Sequence, residues 1–281
     1  MFVIESAGLT DIGKRRKRNE DSMLVDDDLR LYVVADGMGG HRAGNVASKL
    51  VVDTLRDYMN QVVSGDDAHL TDEKISDDID ISLSQEANRI LNGIKLTNRV
   101  VFDLSNSKED YRGMGSTVSL LLFGDQTLIA ANIGDSPIYL IHQGKIEQIS
   151  VLHTVKAEHA AIDPEGAEKL SSEFEHILTR AVGSDESVNA SVCEIQYFKD
   201  DVLVICSDGL SDIIRPQEIL ETVRQMPSCE DTCQSLVNLA NERGGHDNIT
   251  VIVLKIKANQ GKMKGFLSKV TEGLSSIASK K

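Results

Sequence analysis

At 281 residues the chain can bury one sizeable hydrophobic core, or at most two small ones. An apolar share of 41% argues against disorder, and the absence of Trp with 4% aromatics leaves the core to Val, Ile, Leu and Ala. A net charge of −14 argues against a general nucleic-acid binder, which needs a basic face, and an acidic protein that handles phosphate needs added positive charge, for which metal cations are the obvious source.

From the N-terminus, Met1 to Ser6 is too short and too soon charged for a signal peptide. No apolar run approaches the roughly 18–20 residues that span a bilayer. Lys14-Arg15-Arg16-Lys17-Arg18 is a basic run in an acidic chain, followed at once by Asn19-Glu20-Asp21. It reads as a solvated loop, as a nucleic-acid patch, or as a phosphate-receiving edge beside a metal site, since Arg grips phosphate with two donors.

Six apolar, β-branched runs predict strands: Leu31 to Ala35, Thr117 to Phe123, Thr127 to Ile133, Ile138 to Ile141, Val202 to Cys206 and Ile249 to Ile256. Helical spacing links Ala43, Val46, Ala47, Leu50, Val51, Leu55 and Tyr58. The same spacing runs less cleanly from Ile75 to about Leu104, with Asn92-Gly93 as a candidate break. Pro216 suits the first turn of a helix carrying Ile219, Leu220 and Val223. Cys233, Leu236, Val237 and Ala240 form another stripe, stopped by Gly244-Gly245. Helices fall in pairs between groups of strands, which favours antiparallel sheets with helices outside over a doubly wound parallel sheet. One domain is expected over residues 1–258. The tail, 259–281, reads as a basic amphipathic helix that touches a partner or a membrane surface, or as a frayed terminal helix.

Four carboxylates stand where surface charge is not expected. Asp36 follows the first predicted strand in Asp36-Gly37-Met38-Gly39-Gly40. Asp135 follows the third in Gly134-Asp135-Ser136. Asp208 follows the fifth in Ser207-Asp208-Gly209, and Asp247 precedes the last. Any single Asp-Gly step reads as a turn. Carboxylates gathered at one sheet edge repel one another and raise their own pKa values, a cost that a divalent cation removes. An all-oxygen set suits Mg²⁺ or Mn²⁺, and no His/Cys cluster competes for zinc. The four cysteines, Cys193, Cys206, Cys229 and Cys233, make no Cys-x-x-Cys pair and read as reduced thiols of a cytoplasmic protein.

Together these motifs resemble the type 2C metal-dependent protein phosphatases in their bacterial form. The resemblance runs in order through Arg16 to Asp21, Asp36 to His41, Gly113-Met114-Gly115-Ser116-Thr117, Asn132 to Ser136, Leu178 to Gly183, Ser207-Asp208-Gly209 and Asp247-Asn248-Ile249-Thr250. It implies an α+β fold, a four-layer α/β/β/α sandwich of two antiparallel sheets flanked by helices. It implies two Mn²⁺ or Mg²⁺ ions at one edge, with Asp36 bridging, Asp208 and Asp247 completing one ion, and Glu20 and the Gly37 carbonyl serving the other. Asp135 matches a position that helps hold a third, weaker ion. Arg16 matches the phosphate-binding arginine, and Asp21 the acid that orients water. The implied reaction is hydrolysis of phosphoserine or phosphothreonine by metal-activated water, without a phosphoenzyme, in a monomer that opposes a bacterial serine/threonine kinase. Met38 stands where some members carry a His after Asp-Gly, and His41 does not match that position. Pro137 replaces an arginine common after Gly-Asp-Ser, and Leu152-His153-Thr154 an Asp-His-Ser step, both in or near a flap at about 150–178. The rival readings are a catalytically silent scaffold with the same fold, a phosphatase of small metabolites, and a two-metal nucleic-acid enzyme, against which the charge weighs.

Overall fold

Strand β3, Leu31–Met38, sets the frame because both of its faces are buried and belong to different cores. Leu31, Val33 and Ala35 pack against helices, whereas Tyr32 and Val34 point into the space between two sheets. The computed structural model describes residues 2–39, 43–65, 79–124 and 127–258. His41, the start of the expected Ile75 helix and the tail after 258 lie outside the described residues.

One sheet has five strands, ordered β1 (Phe2–Asp11), β11 (Ile249–Ala258), β10 (Val202–Cys206), β7 (Ile138–His142) and β8 (Lys145–Gln148). The other runs β2 (Asp21–Asp26), β3, β5 (Val118–Phe123), β6 (Thr127–Ile133) and β9 (Ser191–Gln196), with β4 (Gly115–Ser116) paired to the end of β3. Every strand pairing is antiparallel.

Three cores separate four layers. Between the sheets lie Tyr32, Leu121, Leu128, Leu203, Ile252 and Leu254. Helices α1 (Gly44–Ser64) and α2 (Gln85–Ser107) cover the second sheet through Val51, Leu55, Ile90 and Ile94. Helices α6 (Pro216–Gln225) and α7 (Cys229–Glu242) cover the first through Ile219, Leu220, Leu236 and Val237. The expected α/β/β/α sandwich is therefore the observed one. Burying a large aliphatic side chain stabilises by about 1.5–3 kcal/mol, so these three layers supply the main cohesion.

Two expectations change. Asn92-Gly93 is no break: α2 is continuous, and Gly93 is needed because a Cβ there would lie 2.9 Å from the Tyr58 ring of α1. The helix also starts later, at Gln85, where the Ser84 hydroxyl accepts the Ala87 N–H at 3.1 Å and caps it. Five strands went unforeseen, β1, β2, β8, β9 and the two-residue β4. Short helices α3 (Val155–Ile162) and α4 (Pro164–Ala167) and a 3₁₀ turn (Ser172–Glu175) build the flap, whose ends meet at a Thr154–Leu178 bridge.

Candidate metal centre

Strand alternation carries the inter-sheet faces out to one end of the sandwich, and there the side chains turn from apolar to acidic. On β3 the face bearing Tyr32 and Val34 next presents Asp36. On β2 the face bearing Met23 and Val25 ends in Asp21, directly opposite Asp36. On β10 and β11 the faces bearing Ile205 and Ile252 lead to Ser207 and Thr250. Both hydroxyls donate to Asp21 Oδ2, at 2.8 and 2.6 Å, tying the two sheets together at their mouth.

Beyond this seam opens a cleft of about 530 Å³, lined by Arg16, Glu20, Asp36, Gly37, Asp135, Asp208 and Asp247 among others. Every residue expected at the site is on its wall except Asp21, which lies behind, 8% exposed. Asp208 opens a single helical turn, α5 (Asp208–Ser211). Asn248 braces the N-terminal loop: its Oδ1 accepts the Glu20 N–H at 2.8 Å, and its Nδ2 donates to the carbonyls of Ile12 and Arg18. The Glu20 carbonyl accepts from Ser48 Oγ and from the Gly37 N–H. Arg16 donates to Asp247 Oδ2 at 2.5 Å.

The two Asp-Gly steps are not turns. Gly37 continues β3, and a Cβ on it would lie 2.0 Å from the Gly44 carbonyl oxygen. A Cβ on Gly209 would lie 2.0 Å from that of Asn248. Glycine is required by closeness of backbones, not by φ. Gly134 is different: its φ of 99° turns the chain so that Asp135 reaches the cleft. His153, fully buried, clasps that turn by donating its N–H to the Gly134 carbonyl while its Nδ1 accepts the Gly134 N–H. Burial, with the Arg180 charge beside it, lowers the His153 pKa to about 4 and keeps it neutral.

Electrostatically the cluster is unsettled. Burial and the charges of Asp21, Asp208 and Asp135 push the Asp36 carboxyl well above the ordinary carboxylate range. Burial raises Asp21 to about 6 against the two hydroxyl hydrogen bonds that lower it, and raises Asp135 to about 7 with help from Asp208. Asp208 is raised by burial and by Asp247. Among the described residues, Asp21 Oδ1 and Asp208 Oδ1 are buried without a hydrogen-bond partner. Orphaned, crowded, oxygen-only donors are what a hard divalent cation satisfies, so the residues fit Mn²⁺ or Mg²⁺.

His176 and Asp212 join the site without any expectation from the sequence. His176 follows the flap's 3₁₀ turn and Asp212 follows α5, and both converge on Asp208, with ligand-type atoms of the three within 4.8 Å of one another. Nothing in either local sequence marks them, because the flap must fold over before they meet. Ser207, Thr117, Asn248 and Thr250 sat inside the recognised motifs, and their bracing roles emerge only from the two-sheet seam. The cysteines are free, and burial pushes the Cys229 and Cys233 thiols up to about 12, so neither is a ready nucleophile.

A two-sheet sandwich with a carboxylate cleft at the mouth between its sheets defines a class of metal-dependent hydrolases. Within it, residues 13–243 match the family model described as protein phosphatase 2C. The chain belongs to the protein phosphatase 2C family. It is 30% identical over 252 residues to the serine/threonine phosphatase stp of Listeria monocytogenes, covering 88% of this chain and 93% of that one. It is 33% identical over 249 residues to a putative protein phosphatase 2C-type of Streptococcus pyogenes, covering 87% and 94%. Among solved structures, the catalytic domain of the phosphatase PstP in complex with two manganese ions superposes with a TM-score of 0.75 at 29% identity, covering 92% of this chain and all of that one. Staphylococcus aureus Stp1 gives 0.76 at 29%, covering 91% and 96%.

Proposed function

We propose that this protein is a metal-dependent protein serine/threonine phosphatase, hydrolysing phosphoserine and phosphothreonine with water as nucleophile. The observation that carries the reading is the meeting of Asp36, Asp208 and Asp247, with Glu20, around one cleft whose buried carboxylate oxygens lack partners.

Asp36 would hold two Mn²⁺ or Mg²⁺ ions jointly, with Asp208 and Asp247 on one and Glu20 and the Gly37 carbonyl on the other. Asp135, with Asp208, would hold a third, weaker ion. Bound ions supply Lewis acidity, making water a nucleophile near neutral pH and neutralising phosphate charge. Arg16 grips equatorial phosphate oxygens with its planar fork, holding phosphorus in line for attack. Asp21, anchored through Oδ2 by Ser207 and Thr250, keeps Oδ1 free to orient water. The glycine-lined wall lets phosphate approach the backbone at Gly39.

Residues 1–258 form the catalytic unit of this reading, and 259–281 a tail that contacts a partner or a membrane surface. The substrates are phosphorylated proteins, with a bacterial serine/threonine kinase as the opposing activity. The protein acts as a monomer in the cytoplasm, a reading that the four free cysteines support. The test is turnover of a phosphothreonine peptide by purified protein with Mn²⁺, abolished by chelator and restored by added metal. Turnover indifferent to chelator overturns the reading, and no turnover in saturating Mn²⁺ favours a silent scaffold.

A further inference from the structure

Of the basic run at 14–18 the cleft uses Arg16, and its other cations have no part in the site described above. Residues 12–20 link β1 to β2 at the cleft, and Lys14, Arg15, Lys17 and Arg18 are all exposed there. The backbone beneath them is fixed. The N–H groups of Lys14 and Arg15 both donate to the Gly245 carbonyl, at 2.8 and 3.2 Å. Asn248 Nδ2 holds the carbonyls of Ile12 and Arg18, so one side chain clamps both ends of the run. Gly13 turns the chain with a φ of 75°, and a Cβ on it would lie 2.1 Å from the Asp247 carbonyl oxygen. The charges are not satisfied in the same way. Arg16 has Asp247, whereas among the described residues no carboxylate pairs with Lys14, Arg15 or Lys17. A chain of net charge −14 thus keeps three unpaired cations on a pinned loop, on either side of its cleft arginine.

We infer that Lys14, Arg15 and Lys17 form a substrate subsite for an anionic side chain, a carboxylate or a second phosphate, close to the phosphorylated residue. The inference rests on the phosphatase reading above and adds a sequence preference to it. Like charges crowded on one loop repel, and an arriving anion relieves them where the fold supplies none. The acidic remainder of the chain opposes such a substrate at a distance. Screening over about 10 Å at 0.1 M salt lets the local cations outweigh it on contact. Because the backbone is pinned beforehand, binding orders side chains alone. Arg15 and Lys17 are the chain neighbours of Arg16, and an extended substrate advances about 3.3 Å per residue. The anionic position therefore falls within about three residues of the phosphorylated one. A polynucleotide suits the loop less well, since it would carry further phosphates onto a chain that is otherwise strongly acidic.

The test uses phosphothreonine peptides carrying a single Glu, Ala or Lys at each of these positions, with kcat/KM measured in Mn²⁺. A further series carries a non-hydrolysable phosphonate of phosphoserine there, which separates a second phosphate from a carboxylate. At one position Glu should exceed Ala by about fivefold and the phosphonate by about tenfold, with Lys below Ala. The differences should reside in KM and shrink as salt is raised to about 0.5 M. A gain for either anion supports the subsite and says which it prefers. In the triple variant Lys14→Ala, Arg15→Ala, Lys17→Ala the anion/Ala ratio should drop to about one. In the double variant Arg15→Glu, Lys17→Glu the Lys peptide should overtake the Glu peptide, which a merely structural role of the loop would not produce. Each ratio is taken within one protein, so a general loss of activity or metal cancels. Turnover with no position favouring an anion overturns the subsite alone, as does a preference that survives in the triple variant. A single-stranded DNA that binds wild type and not the triple variant, with no peptide preference, overturns it in favour of nucleic acid. Absence of Mn²⁺-dependent turnover on every peptide and on an aryl phosphate overturns the phosphatase reading and this one with it.

Discussion

Asp21 and Asp36 face each other across the β2–β3 pairing, on the side that looks between the sheets. Two buried carboxylates at adjacent cross-strand positions are an electrostatic liability in the metal-free chain. Their pKa values, and that of Asp135, are raised above the ordinary carboxylate range, Asp21 to about 6 and Asp135 to about 7. The folded state therefore binds more protons than the unfolded one between about pH 4 and 7, and stability falls as pH rises through that window. Thermal melts of chelator-treated protein should show a midpoint that drops from pH 5 towards pH 8. Saturating Mn²⁺ should raise the midpoint most at the upper end, since binding at a hundredfold over Kd contributes about 2.7 kcal/mol.

Asp36→Asn and Asp208→Asn should each separate stability from activity. Removing one buried negative charge should leave the metal-free protein at least as stable as wild type at pH 8. The same change should lower metal-dependent turnover by about 10³-fold or more, because a direct ligand is gone. Calorimetric metal titration beside melting curves would check both halves, and a variant that kept full Mn²⁺ affinity would contradict the assignment.

Arg16 is raised in pKa chiefly by its hydrogen bond to Asp247, so the guanidinium is held at the cleft before any phosphate arrives. Arg16→Ala should reduce kcat/KM for a phosphopeptide by about 10- to 100-fold, the worth of charge-assisted hydrogen bonds. Arg16→Lys should recover only part, since an ammonium lacks the planar fork. Inorganic phosphate should also inhibit Arg16→Ala more weakly than wild type.

Gly37→Ala should behave as a backbone lesion. The new Cβ would sit 2.0 Å from the Gly44 carbonyl oxygen and 2.6 Å from that of Glu20, and neither atom belongs to a flexible side chain. Strand β3 and the start of α1 must part, at a cost of about 2–3 kcal/mol. Circular dichroism should show a lowered midpoint with native secondary structure, together with weakened Mn²⁺ binding.

The strands legible in the sequence are those in the middle of each sheet. Val202 to Cys206 and Leu31 to Ala35 are buried on both faces, which writes a continuous apolar run. Of the five that escaped, β1, β2, β8 and β9 are the four sheet edges, and β4 is a two-residue strand beside the end of β3. Edge strands are half-buried and tolerate charge, so Glu5, Asp26, Glu147 and Glu194 break the pattern that would reveal them. The cleft was legible for a related reason. Asp36, Asp135 and Asp208 follow apolar strands, and strand ends meet at a shared edge. His176 and Asp212 lack such a neighbour, and the Gly37–Gly44 contact requires knowing that α1 returns over the end of β3.

Strand β11, drawn from the last residues of the sandwich, pairs with β1 on one side and β10 on the other, and Asp247 and Thr250 arrive with it. A ribosome-bound chain lacking that strand has neither the Asp247 partner of Arg16 nor the Thr250 hydroxyl on Asp21. The centre is thus complete only once β11 has been made and has joined the sheet, and a chain cut short before it holds an unfinished site.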